Sequence, residues 1–292
     1  MSKVLLSDYS QLISRPLILD GAIGSFLQNS NHKLDPILWS SILNIYKPEV
    51  ILDLHKQYIS SGAEIITTNT FRTNPYALEK SNYNFNIENF IKKSIDLAKN
   101  SIETEGVYIA GSNAPAEDCY QKERTLSYNK LEYNHKKHIE LLYENGVDFI
   151  LNETIGHFDE IGIIAKFCSD NNIPFIISLY TETGETILSG HSIEEIIKFI
   201  IYYKPMALSF NCVSHEIFKK INNELFKEFK NGYYLNMGDT KRDGLFTNVI
   251  TPKKYKEFIK QNINKNALFI GGCCGSTPKH ISKIKELFDE IY

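Results

Sequence analysis

The chain has 292 residues, of which 42% are hydrophobic and 23% charged, with a formal net charge of −3. That balance excludes a collagen-like or intrinsically disordered chain, and without a basic excess nothing calls for a nucleic-acid partner. No apolar run approaches the roughly 18 residues needed to cross a bilayer, and the first ten residues lack the apolar core of a signal peptide. The expectation is a cytoplasmic protein, away from membranes, acting on small molecules, with its oligomeric state left open. Five cysteines are present. An odd count without a secretion signal argues against a disulfide framework and for metal ligands or reactive thiols.

In chain order, short β-branched or aromatic runs alternate with longer segments of helical spacing. The runs are 17–20, 64–69, 107–112, 149–153, 174–180, 207–211, 233–236 and 267–271. Apolar runs of this length, bounded by turn residues, suit strands buried on both faces. After the first run comes a long loop, 21–47, holding the single tryptophan, Trp39. Pro48 then opens a helix carrying Ile51, Leu54, Tyr58 and Ile59, with Gly62 to end it. Phe90, Ile91, Ile95 and Ala98 mark the next helix. The loop 113–129 contains Pro115, Asp118, Cys119 and Tyr120, and Cys168 falls on a helix as a packing residue. Ile193, Ile196, Ile197, Ile200 and Ile201 form one helical stripe, preceded by Ser192 with Glu195 three residues on, a capping-box pattern. Ile217, Ile221, Leu225 and Phe229 predict a helix ending near Gly232, and Pro278, Ile281, Ile284 and Leu287 predict the last one. The loop 238–250, with Lys241, Arg242 and Asp243, is a third long connection.

Eight strand–helix units in strict alternation predict one closed (β/α)8 TIM barrel over residues 1–292. An open doubly wound sheet would want GxGxxG after its first strand; the turn here reads Asp20-Gly21-Ala22-Ile23-Gly24-Ser25. In a barrel the strand C-termini carry the active site. Those ends bring forward Asp20, Asn69, Ser112, Glu153, Asn211, Cys212, Cys273 and Cys274. Three thiolates with one vacant position are the ligand set of a catalytic zinc, and no CxxC pair points to a zinc finger. The alternatives are an inert buried Cys-Cys pair, a vicinal disulfide, or a zinc-binding or redox-sensing thiol protein without turnover. Three thiolates on a dication leave an electron-rich metal, which suits deprotonation of a substrate thiol and its alkylation. Asp20 and Glu153 could pair with an α-ammonium group, or merely cap a turn and bond a neighbouring strand. Asn69, Ser112 and Asn211 could donate to a carboxylate or support the ligands. Trp39, Tyr120, Phe26 and Phe71 are possible walls for a cationic donor. Cys119 reads as a bystander thiol, with a redox partner as the other option. A barrel lyase would want a Schiff-base lysine at a strand end, and none of the eight carries one.

Several of these segments together resemble the zinc-dependent homocysteine S-methyltransferases. They are Leu19-Asp20-Gly21-Ala22-Ile23-Gly24-Ser25, with Ser25 where threonine is usual, Thr67-Thr68-Asn69-Thr70-Phe71, Asn152-Glu153-Thr154, Phe210-Asn211-Cys212, and Gly271-Gly272-Cys273-Cys274-Gly275 followed by Ser276-Thr277-Pro278. The sequence after Thr154, His157 included, departs from the pattern. The resemblance implies a (β/α)8 barrel with zinc on Cys212, Cys273 and Cys274. It also implies homocysteine as acceptor, its ammonium end held by Asp20 and Glu153, and methionine as product. Donors in such a family include S-methylmethionine, S-adenosylmethionine, betaine or related onium compounds such as dimethylsulfoniopropionate, and methyl-folate through cobalamin. The chain's length leaves no room for folate and cobalamin modules, and it ends just after the eighth helix. S-methylmethionine or S-adenosylmethionine is therefore the expected donor, with betaine or dimethylsulfoniopropionate as donor, or a selenol or other thiol as acceptor, as alternatives.

Overall fold

The computed structural model describes residues 10, 14–221, 229–240, 246–247 and 249–292. Eight parallel strands surround one axis: β1 (Leu17–Ile18), β2 (Ile65–Thr67), β3 (Tyr108–Asn113), β4 (Phe149–Ile155), β5 (Phe175–Leu179), β6 (Ala207–Asn211), β7 (Asn231–Leu235) and, after a two-stranded antiparallel hairpin of β8 (Asp239–Thr240) and β9 (Phe246–Thr247), β10 (Ala267–Gly272). Their order is β1-β10-β7-β6-β5-β4-β3-β2. The seam between β1 and β2 is closed by a parallel bridge, Leu19 to Ile65, with Asp20 N donating to Ile65 O at 2.9 Å. The result is the (β/α)8 barrel that the alternation predicts.

Strand periodicity divides the apolar residues between two cores. Leu17, Leu19, Ile65, Ala110, Leu151 and Ile176 fill the interior with Phe149, Leu268 and Phe269. The residues between them, among them Ile18, Ile66, Ile109, Ile150 and Ile177, point outward to the helices. Every residue of β5 and β6 is buried, as expected of strands covered on both faces.

The helices form where the spacing places them. Pro48 starts α3 (Pro48–Ser60), which follows α1 (Gly24–Asn29) and α2 (Leu43–Tyr46) in the first long loop. Next come α4 (Pro75–Lys80), α5 (Ile87–Asn100), α6 (Tyr128–Glu144) and α7 (Phe158–Asp170). The capping box of Ser192 and Glu195 opens α8 (Ile193–Ile200). Then follow α9 (His215–Lys220), α10 (Pro252–Asn262) and α11 (Pro278–Ile291). None of the described helices is long and apolar enough to cross a membrane.

One boundary differs from the sequence reading. The helix predicted to run to Gly232 is α9, which ends at Lys220, and Ile221 is extended. Leu225 lies outside the described residues, as do Lys241, Arg242 and Asp243. Gly232 belongs to β7 instead. A Cβ there would stand 2.5 Å from the Phe269 ring, so the glycine makes room for an interior phenylalanine rather than ending a helix.

Candidate active site

The three cysteines meet at the C-terminal ends of β6 and β10. Their sulfurs lie within 4.8 Å of one another, with Cys212 Sγ and Cys274 Sγ 3.9 Å apart. Cys212 sits in the left-handed backbone region, φ 56°, which non-glycine residues seldom adopt. Its neighbours hold it there. Asn211 Oδ1 accepts from Thr154 N at 2.8 Å and from Ser178 Oγ at 2.7 Å, and Asn211 Nδ2 donates to Thr154 Oγ1 at 2.8 Å. Asn236 Nδ2 donates to the Cys212 carbonyl at 3.0 Å. On the other strand, Cys273 N donates to Leu235 O at 2.9 Å and the Cys274 carbonyl accepts from Met237 N at 2.8 Å. Gly275 N donates to Ser25 Oγ at 2.9 Å, tying this turn to α1. Hydrogen bonds from Cys273 and Cys274 hold the Cys212 thiol well below its ordinary range. Burial pushes Cys273 up, and the Cys212 sulfur does the same to Cys274. A cluster that favours thiolate at one member, with two further sulfurs converging on it, is chemically suited to a soft cation.

Asn211 is thus committed to the strand ends, and it does not line the cavity in front of the sulfurs. Asn211→Ala would strand the Thr154 amide and the Ser178 hydroxyl. The expected cost is about 1–3 kcal/mol of stability, together with a fall of roughly 10- to 100-fold in metal affinity at the sulfurs. Thermal denaturation and chelator competition read the two effects separately, and an unchanged metal affinity would remove Asn211 from any supporting role.

The acids face the same cavity. Asp20 is 2% exposed and accepts from Thr67 N at 2.8 Å and from Thr67 Oγ1. Glu153 accepts from Ser112 Oγ and, at 3.4 Å, from Tyr234 Oη. Burial pushes both carboxyls up, Glu153 to about 7; Glu153 adds to the rise at Asp20, and the Cys212 charge adds to that at Glu153. Neither acid has a cationic partner among the described ion pairs. Two buried carboxyls without a counter-charge are chemically suited to a cationic partner.

The cavity has a volume of about 370 Å³ and is lined by Asp20, Glu153, the three cysteines, Trp39, Phe71 and Tyr120, among others. Trp39 and Phe71 meet edge to face at 5.8 Å, and Tyr120 meets Tyr180 likewise at 5.0 Å. Gly24 lets the indole close over α1, since a Cβ there would lie 2.3 Å from Trp39. Phe26 is not in the lining; it packs against the outer core. Asn69 lines the wall, but its amide is bonded to Ser40 (Oδ1 accepting from Oγ at 2.7 Å) and to Asn44 (Nδ2 donating to Oδ1 at 2.9 Å), which fixes the loop bearing Trp39. Cys119 lines the cavity as well, its thiol pushed up by burial, whereas Cys168 is buried in the outer core on α7. The 113–129 loop is pinned at both ends. Ala116 N donates to Glu160 Oε1 at 3.0 Å, Arg124 reaches Glu160 Oε2 at 2.9 Å, and the Glu117 carboxylate accepts from Thr125 N and Leu126 N. Sequence reasoning missed Thr67, Arg72 and Tyr234, which also line the cavity. Tyr234 reads as core in a strand, and only its alternation with the outward Tyr233 marks it as interior-facing.

Comparison with known proteins gives a consistent picture. The sequence profile of the family described as homocysteine S-methyltransferase matches residues 17–288. Homocysteine S-methyltransferase 1 of Arabidopsis thaliana is 24% identical, the alignment covering 96% of this chain and 95% of that protein. Selenocysteine methyltransferase of Astragalus bisulcatus is 21% identical over 98% and 96%. Among solved structures, the metallated form of the homocysteine methyltransferase MmuM from Escherichia coli superposes with a TM-score of 0.81. It is 22% identical, with 95% of this chain and 98% of that chain covered.

Proposed function

Because the chain belongs to the homocysteine S-methyltransferase family, we propose that it moves a methyl group from a sulfonium donor, S-methylmethionine or S-adenosylmethionine, to the sulfur of homocysteine, with zinc on Cys212, Cys273 and Cys274. The observation that carries this reading is the three-sulfur cluster opening onto a cavity that also holds Asp20 and Glu153. The sulfurs fit the metal. Tetrahedral zinc with bonds of about 2.3 Å separates its sulfurs by about 3.8 Å, against 3.9 Å between Cys212 and Cys274. When bound, zinc would supply the Lewis acidity that keeps the acceptor sulfur a thiolate at neutral pH.

The chain's own residues do the rest. Asp20 and Glu153 hold the α-ammonium of homocysteine and so aim its sulfur at the cysteines. Trp39 and Tyr120 offer π faces to the sulfonium cation. The pinned 113–129 loop narrows the cavity mouth and limits water. The acceptor sulfur forms a bond to the methyl carbon as the donor's S–CH3 bond breaks, its electron pair returning to the donor sulfur. A neutral thioether leaves, so no general acid is required, and most of the rate gain comes from orientation. The similarity to a selenocysteine methyltransferase supports a second reading in which a selenol serves as acceptor.

The test supplies homocysteine, or selenocysteine, with S-methylmethionine, S-adenosylmethionine, betaine and dimethylsulfoniopropionate in parallel, with and without a zinc chelator. Methylated product from a sulfonium donor is expected, abolished by the chelator and restored by zinc. Product from betaine alone would overturn the sulfonium assignment, and no product from any pair would overturn methyl transfer.

A further inference from the structure

The charges lining the cavity are unevenly placed. Asp20 and Glu153 lie on the strand ends with Thr67, Ser112 and Tyr234 around them. On another wall, after β2, stands Arg72, the one cationic side chain among the described lining residues. Its Nη1 donates to the Glu117 carbonyl at 2.8 Å, which anchors it against the 113–129 loop. Its guanidinium carbon lies 5.3 Å from the centre of the Phe71 ring, and Phe71 in turn meets Trp39. Asp118 is close in sequence to that anchor, but its Oδ1 accepts from Tyr120 N, and no described ion pair joins it to Arg72. Arg72 therefore has a backbone carbonyl partner but no carboxylate partner among the described ion pairs, with Asp118 lining the same cavity.

A fixed cation on the wall that receives an onium donor has a clear consequence. A bare sulfonium would meet like-charge repulsion from this guanidinium. A donor that also carries a carboxylate turns the same residue into a partner, because the planar fork matches a carboxylate. Arg72 also occupies a face of Phe71, leaving the sulfonium to Trp39 and Tyr120. We infer that Arg72 is the donor's carboxylate receptor, and that the enzyme selects sulfonium donors bearing a carboxylate by attraction and rejects those without one by repulsion. This inference rests on the methyl-transfer reading above.

The experiment compares donors that differ in this group, using the zinc-loaded full chain and saturating homocysteine. Dimethylsulfoniopropionate and S-methylmethionine carry a carboxylate; trimethylsulfonium offers the same methyl without one. In Arg72→Gln, kcat/KM for the two carboxylates is expected to fall about 10- to 100-fold, the weight of one charge-assisted pair. Trimethylsulfonium should hold steady or improve, and KM for homocysteine should not change. Arg72→Lys, which keeps the charge without the fork, should recover part of the preference. If Arg72 only braces the Glu117 loop, all three donors fall together and their ratio is preserved, which overturns the assignment. A rise in KM for homocysteine alone would move Arg72 to the acceptor and overturn it too. Wild-type enzyme that makes methionine from no donor overturns methyl transfer itself, and this inference with it.

Discussion

Cys273→Ala is expected to abolish metal binding and methyl transfer together. Cys273 is buried, and its sulfur shares one point of convergence with Cys212 and Cys274. Two thiols cannot hold zinc against competing buffers as three can. Without the metal, an acceptor thiol titrating near ~8.5 is only a few per cent thiolate at pH 7. Loss of ionisation and of position together should lower kcat/KM by at least about 1000-fold. Bound metal per chain and methionine formation are the measurements. The Cys273 backbone bond to Leu235 survives the substitution, so the variant should unfold at nearly the temperature of metal-free wild type, and below that of the metal-loaded protein. A variant that retains full metal and full activity would refute the three-sulfur site.

Glu153→Gln is expected to weaken homocysteine binding while strengthening the fold. Burial pushes the Glu153 carboxyl up to about 7, the Cys212 charge adds to the rise, and hydrogen bonds from Ser112 and Tyr234 oppose it. In the unfolded chain the same group titrates near ~4.3. Between those values the folded state binds more protons, so stability falls as pH rises, and the loss is complete above about 7. The amount is about 4 kcal/mol. In the metal-free chain, Glu153→Gln should abolish that fall and leave the variant more stable at pH 8 but not at pH 4. The cost appears in the substrate: without the carboxylate, KM for homocysteine should rise about 10- to 100-fold. Denaturant titrations at the two pH values, with steady-state kinetics, check both halves. A variant less stable at pH 8 would refute the account of Glu153 as an uncompensated buried acid.

The fold was legible because each barrel strand is an apolar run buried on both faces, and because the helical stripes between them are regular. Gly232 shows what was not legible. A glycine after a helical pattern reads as its end, and only the ring of Phe269, far along the chain, explains its place within β7. The cysteines and acids were legible because strand ends in a barrel converge whatever their separation in sequence. The amides were not. Asn69 and Asn211 stand at strand ends like the others, but what their side chains bond is decided by Ser40, Asn44, Thr154 and Ser178, residues that no spacing rule connects. Arg72 escaped notice because one basic residue in a loop looks like solvent-facing surface until the cavity is drawn around it.

The strand order gives the cysteine cluster a mechanical meaning as well. Cys212 follows β6 and Cys273 follows β10, while β7 lies between those strands in the sheet. An ion bound to both would be a removable cross-link spanning β7. Treated as an ordinary chain cross-link over a loop of roughly sixty residues, it would restrict the unfolded ensemble by about 4 kcal/mol. Occupancy of the metal would then set the lifetime of the protein as well as its turnover, so that a cell short of the ion would lose the enzyme's molecules along with its activity.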